Sequence, residues 1–158
     1  MIAARFRSRV PRRAAFTLVE VLIVVVILAI LAATVLPQFT NASKDAIDSS
    51  VKQNLSVIRS QIELYRIQHG NNLPGADFEN QMTLATDRGG DTTGTDRNYG
   101  PYVSGGAFPV NQGNEKRGVF VKTSGTAARS DAGADDGWIY EVDTGRFYAA
   151  DSDERFAF

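Results

Sequence analysis

The chain has no cysteine, one histidine, one tryptophan and two methionines in 158 residues. Without cysteine there are no disulfides, thiolate nucleophiles or thiolate metal ligands, so an exported domain would have to hold together by packing alone. The single histidine, His69, sits near the end of a helical pattern with no second imidazole at metal-binding spacing. Other catalytic signatures are missing as well. Gly113-Asn114-Glu115-Lys116-Arg117-Gly118 lacks the Gly-Lys-Ser/Thr ending of a phosphate-cradling loop, and Ser104 does not sit in a Gly-x-Ser-x-Gly elbow. No nucleophile stands out, and the chain does not read as an enzyme.

Acid is absent from one region only. Residues 1–15 hold Arg5, Arg7, Arg9, Arg12 and Arg13, five of the 17 basic side chains, and no acid; residues 16–158 carry the other 12 against 18 acids, a net of −6. Next to the basic stretch lies an apolar run from Phe16 to Leu36. At about 1.5 Å per residue, a helix of that length covers the roughly 30 Å of a bilayer's hydrocarbon core. The remainder is polar and rich in Gly, Asp, Thr and Asn. A basic patch beside an apolar span is a topology signal: the N-terminus stays cytoplasmic and the C-terminal part crosses. That placement argues against nucleic acid as the partner of the arginines.

Three readings of this segment remain: a secretory signal peptide, a permanent anchor, or a segment processed between the two. Ala29, Ala32 and Ala33 lie inside the apolar run rather than in a polar exit region, which fits a signal peptide poorly. Arg12-Arg13 followed by Ala-Ala-Phe fits twin-arginine export poorly too. A plain anchor leaves one residue without a reason. Glu20 is a lone carboxylate near the start of a segment built for hydrocarbon, where an unpaired charge costs roughly 3 kcal/mol even on lenient scales. Such a group reads as a functional site with a partner, unless it reaches the headgroups or is protonated.

Beyond Pro37, which should break or kink the helix, Ile47, Val51, Leu55, Ile58, Ile62 and Tyr65 recur at steps of four or three, the core face of an amphipathic helix. Lys44/Asp48, Asp48/Lys52 and Arg59/Glu63 stand at i,i+4. Gly70 and Pro74 close the element. Residues 75–135 read mostly as loops, with short apolar patches at 98–103 and 107–110 and a short strand at Val119–Lys122. Gly137–Val142 and Arg146–Ala150, joined by three residues ending in Gly145, read as a hairpin that lays Trp138, Tyr140 and Val142 on the helix stripe. Asp131, Asp135, Asp136, Asp151 and Asp153 offer hard oxygens of the kind calcium takes, or form solvated acidic loops.

The stretch Ala15-Phe16-Thr17-Leu18-Val19-Glu20-Val21-Leu22-Ile23-Val24-Val25 resembles the N-terminal signature of the type IV pilin and type II secretion pseudopilin superfamily. The resemblance implies cleavage between Ala15 and Phe16 by a prepilin peptidase, which also N-methylates Phe16; the family has Gly before the cut, where this chain has Ala15. It implies a filament in which the Phe16 amine of one copy meets Glu20 of the next, setting axial register, with the helix locally loosened at Pro37. The order of Leu73-Pro74, Gly100-Pro101-Tyr102, Phe108-Pro109-Val110 and the late hairpin is most like the major pseudopilin (general secretion pathway protein G type), whose members hold a calcium ion in a C-terminal loop.

The expected fold is thus α+β and pilin-like, a long N-terminal helix on a small antiparallel sheet with long loops. Its parts would be a cleaved basic leader (1–15), a transmembrane and polymerisation helix (16–36), an amphipathic continuation (37–70) and a loop-rich exported head (71–158). The implied protein is a single-pass subunit of the bacterial inner membrane with a periplasmic head, needing no cofactor beyond structural calcium if the acidic loops bind it. Its expected partners are copies of itself, other pseudopilins, the prepilin peptidase, the inner-membrane assembly platform and the bilayer, with no nucleic acid. The competing readings are a type IV pilin of a surface fibre and a monomeric anchored binding domain.

Overall fold

A computed structural model of the protein describes residues 16–158. The basic leader and Ala15 lie outside the described residues. The chain divides into two compact units, Met1–Ala42 and Ser43–Phe158.

In the first unit the described residues are the start of α1 (Leu18–Gln68), and every one of them is exposed. Of the break or kink expected at Pro37 the break does not occur, and α1 continues through it. Proline removes a single backbone bond, the one to the carbonyl of Ala33. The alanines around it favour helix, and Thr34 and Thr40 spend their hydroxyls on the helix's own carbonyls at Leu31 (3.0 Å) and Leu36 (3.3 Å).

The second unit is the head. Here α1 buries Val51, Leu55, Ile58, Ile62 and Tyr65, each 2 % exposed or less. This is the stripe read from the sequence, and each such side chain contributes about 2 kcal/mol by leaving water. The helix stops where Gly70 turns left-handed (φ +66°) and the Asn71 N–H returns to the Arg66 carbonyl at 2.8 Å, the six-residue closure that a glycine cap permits.

Three strands follow: β1 (Gly118–Lys122), β2 (Asp136–Glu141) and β3 (Arg146–Ala149), in the order β1-β2-β3. The hairpin β2–β3 is antiparallel, turning at Gly145 (φ +72°). Strand β1 pairs with β2 in parallel, so the sheet is mixed where an antiparallel one was expected. The connection, residues 123–135, therefore has to cross over rather than turn back. Helix α2 (Phe78–Thr83) and the single turn α3 (Asp153–Phe156) complete the head.

Strand β2 is buried on both faces. Trp138 and Tyr140 join the α1 stripe together with Phe147 and Phe78, the Phe78 and Tyr140 rings stacking at 3.8 Å. On the other face Ile139 packs with Ala127, Ala132, Tyr148 and Phe156, so the crossover and α3 form a thin third layer. The architecture is α+β, as anticipated.

Candidate assembly site

Phe16 is the first described residue and is 80 % exposed; Thr17 precedes the first turn of α1. Thr17 and Glu20 cap that turn reciprocally. The Glu20 N–H donates to the Thr17 hydroxyl at 3.2 Å, and the Thr17 N–H donates to a Glu20 carboxylate oxygen at 3.5 Å. This is a capping box, and it satisfies two of the amide donors left over at the helix start. The Thr-x-x-Glu spacing of Thr17-Leu18-Val19-Glu20 encodes it, a local role for Glu20 beside that of a charge seeking a distant partner. The second of these bonds is long, so the local cap takes up only part of the carboxylate's capacity.

From Val21 to Leu36 the large apolar side chains stay at least 42 % exposed. By length and composition this part of α1 is apolar enough to cross a membrane. A surface of that extent in water would aggregate, so it needs lipid or other helices around it. Phe16 and Glu20 thus sit at the head of the uncovered apolar stretch of α1, with Pro37 inside the helix just past that stretch.

The other residues singled out lie in the head and do not come together. Asp131 accepts from the Ala128 N–H (2.8 Å) and the Lys122 ammonium (3.1 Å), and these two bonds hold its pKa below the usual carboxylate range. Asp135 pairs loosely with Lys116 at 3.6 Å. Asp136 accepts from the Gly133 N–H at 2.7 Å. Asp151 is held by the Asn111 amide (2.9 Å) and Arg155, and Asp153 by Arg129 (2.6 Å). Among the described residues no three acidic or histidine side chains are grouped to hold a metal ion.

His69 is 2 % exposed, stacked on Tyr65 at 3.7 Å. Its Nδ1 faces the Tyr65 carbonyl (2.8 Å), so that nitrogen carries the proton, and its Nε2 meets the Thr86 hydroxyl at 3.0 Å. It is a satisfied core residue fastening the helix end to the following loop. The sequence reading missed one set of residues altogether, a buried polar chain of Asp48, Arg155, Asp151 and Asn111. Asp48 and Arg155 lie 107 positions apart and Asn111 and Asp151 40, and spacing carries no signal of that.

A family model described as the prokaryotic N-terminal methylation motif matches residues 10–36. No curated protein and no solved structure gives a match. The motif supports the pilin-like class for this chain: a structural subunit, processed at its N-terminus, anchored by its apolar helix and assembling with similar subunits.

Proposed function

We propose that this protein is a pseudopilin of type II secretion, cut between Ala15 and Phe16, N-methylated at Phe16, and polymerised through α1 into a short periplasmic filament. In this reading it is a single-pass protein of the inner membrane, N-terminus inward, whose head sits in the periplasm. Filament growth, powered by an ATPase elsewhere in the machine, pushes secreted cargo outward.

The observation that carries the proposal is Glu20, in the first turn of a helix whose apolar side chains from Val21 to Leu36 are all uncovered. Cleavage gives Phe16 a free amine. In lipid that cation seeks an anion as strongly as Glu20 seeks a cation. A capping bond at 3.5 Å leaves the carboxylate room for a stronger partner. When a second copy packs alongside, its amine supplies one, and the apolar faces cover each other in the same step.

Substituting Glu20→Val separates this reading from a monomeric anchor. The variant should still insert in the membrane and keep its head folded, while filaments and cargo export are lost. Normal assembly of Glu20→Val would overturn the proposal. In a strain lacking the gene, loss of secreted enzymes with surface fibres intact favours secretion over a type IV pilus. The opposite pattern favours the fibre.

A further inference from the structure

The crossover from β1 to β2 holds no strand and only a single 3-10 turn, Arg129–Asp131, yet it covers one face of the sheet. Its backbone is tied down by side-chain carboxylates. The Ala127 N–H donates to Glu141 Oε2 at 2.8 Å, and the other Glu141 oxygen accepts from the Thr144 hydroxyl at 2.7 Å. The Ala128 N–H donates to Asp131 Oδ2 at 2.8 Å, the Gly133 N–H to Asp136 Oδ2 at 2.7 Å, and the Gly125 N–H to Asp143 Oδ2 at 3.2 Å. Glu141 is only 3 % exposed.

Four carboxylates around one loop repel each other unless a cation lies among them. Arg146 stands opposite Glu141 on β3, and Lys122 supplies the charge at Asp131. Lys122 is the last residue of β1, in register with Glu141 across the parallel pair, so their side chains leave the same face. Its ammonium reaches Asp131 Oδ1 at 3.1 Å, with the two side chains 27 % and 21 % exposed. Both oxygens of Asp131 and both of Glu141 are thereby occupied. The same holds further along, where Asp151 gives one oxygen to Asn111 and the other to Arg155.

A divalent cation bridging acidic loops needs six or more oxygens with lone pairs to spare. Asp131, Glu141 and Asp151 instead have each oxygen engaged by a protein donor, and a lysine stands where a second positive charge would be repelled. We infer that Lys122 fastens the β1–β2 crossover in place of a metal ion, drawing Asp131 to the end of the sheet beside Glu141, so that the head keeps its fold without calcium.

Amide hydrogen exchange on the full chain in detergent micelles tests this. The Ala127 and Ala128 amides should exchange at the same rate in millimolar calcium and in excess chelator. In Lys122→Met they should exchange about tenfold faster under both conditions, while Lys122→Arg stays close to the native rate. The Ile58 and Ile62 amides of α1 report global opening. Should they accelerate too in Lys122→Met, the reading passes to Asp131→Asn, which keeps an acceptor for Ala128 and removes the charge facing Lys122; the same two loop amides should speed up there. Calcium-dependent slowing in the native chain would overturn the inference, and so would native exchange of the loop in both charge-removing variants.

Discussion

Arg155→Met is the substitution expected to cost the head most for its size. The Arg155 side chain is 12 % exposed, and it bridges Asp48 of α1, at 2.5 Å from Nε, to Asp151, whose side chain is 2 % exposed. Hydrogen bonds to both acids raise the Arg155 pKa, with Asp151 the larger cause. Asp151 in turn holds the Asn111 amide, which also donates to the Gly137 carbonyl of β2 at 2.7 Å. One guanidinium thus joins the long helix, the C-terminal turn and the sheet. Methionine fills much of the volume but leaves two carboxylates facing one another with no cation. Removing one partner of a buried pair costs about 3–5 kcal/mol. For a head of this size that corresponds to a fall in Tm of about 10–20 °C. Thermal unfolding of the full chain in detergent, followed by near-UV circular dichroism at Trp138, measures it. Adding Asp151→Asn to Arg155→Met should recover part of the loss, because the stranded charge is then gone. A loss below about 1 kcal/mol would show the bridge behaving as an exposed pair and refute the reasoning.

Two further outcomes follow from the head's geometry. Gly137→Ala would set a methyl 2.3 Å from the Lys116 carbonyl oxygen, which is backbone and cannot swing aside; urea midpoints should show a loss of about 2 kcal/mol. Acid should loosen the crossover: the Ala127 N–H and the Thr144 hydroxyl hold Glu141 below its ordinary pKa, and the Ala128 N–H and Lys122 do the same for Asp131. A depressed carboxyl stabilises the fold above its unfolded pKa, about 4, and that stability drains away as pH falls through the lower folded value. Urea midpoints should therefore be level above about pH 5 and drop below pH 4, with a shallower drop in Glu141→Gln.

What the sequence made legible was local. The buried stripe of α1 follows from a 3.6-residue period, the β2–β3 hairpin from two aromatic runs around Gly145, and β1 from its Val-Phe-Val core. Pairing between distant elements carries no such period. Nothing in Gly118–Lys122 says that its neighbour runs parallel, and nothing in Phe78–Thr83, with two buried apolar residues, separates a helix from a loop. The charge spacings on α1 misled for the same reason. Asp48 bonds Arg155 and Arg59 donates to the Phe147 carbonyl, because half-buried tertiary partners hold these side chains better than a solvated i,i+4 neighbour does. At the candidate site Glu20 was legible as a charge out of place, whereas its bond to Thr17 was an ordinary capping signal.

The central claim is that the N-terminal amine of one copy meets Glu20 of another inside the membrane. A hydrophobic carbodiimide, which joins an amine to a carboxylate only when they touch, tests that contact on membranes holding a mixture of isotopically heavy and light chains. The account predicts a heavy–light peptide linking methylated Phe16 to Glu20, absent from Glu20→Gln. Chains that keep residues 1–15 and yield no such mixed peptide would contradict it.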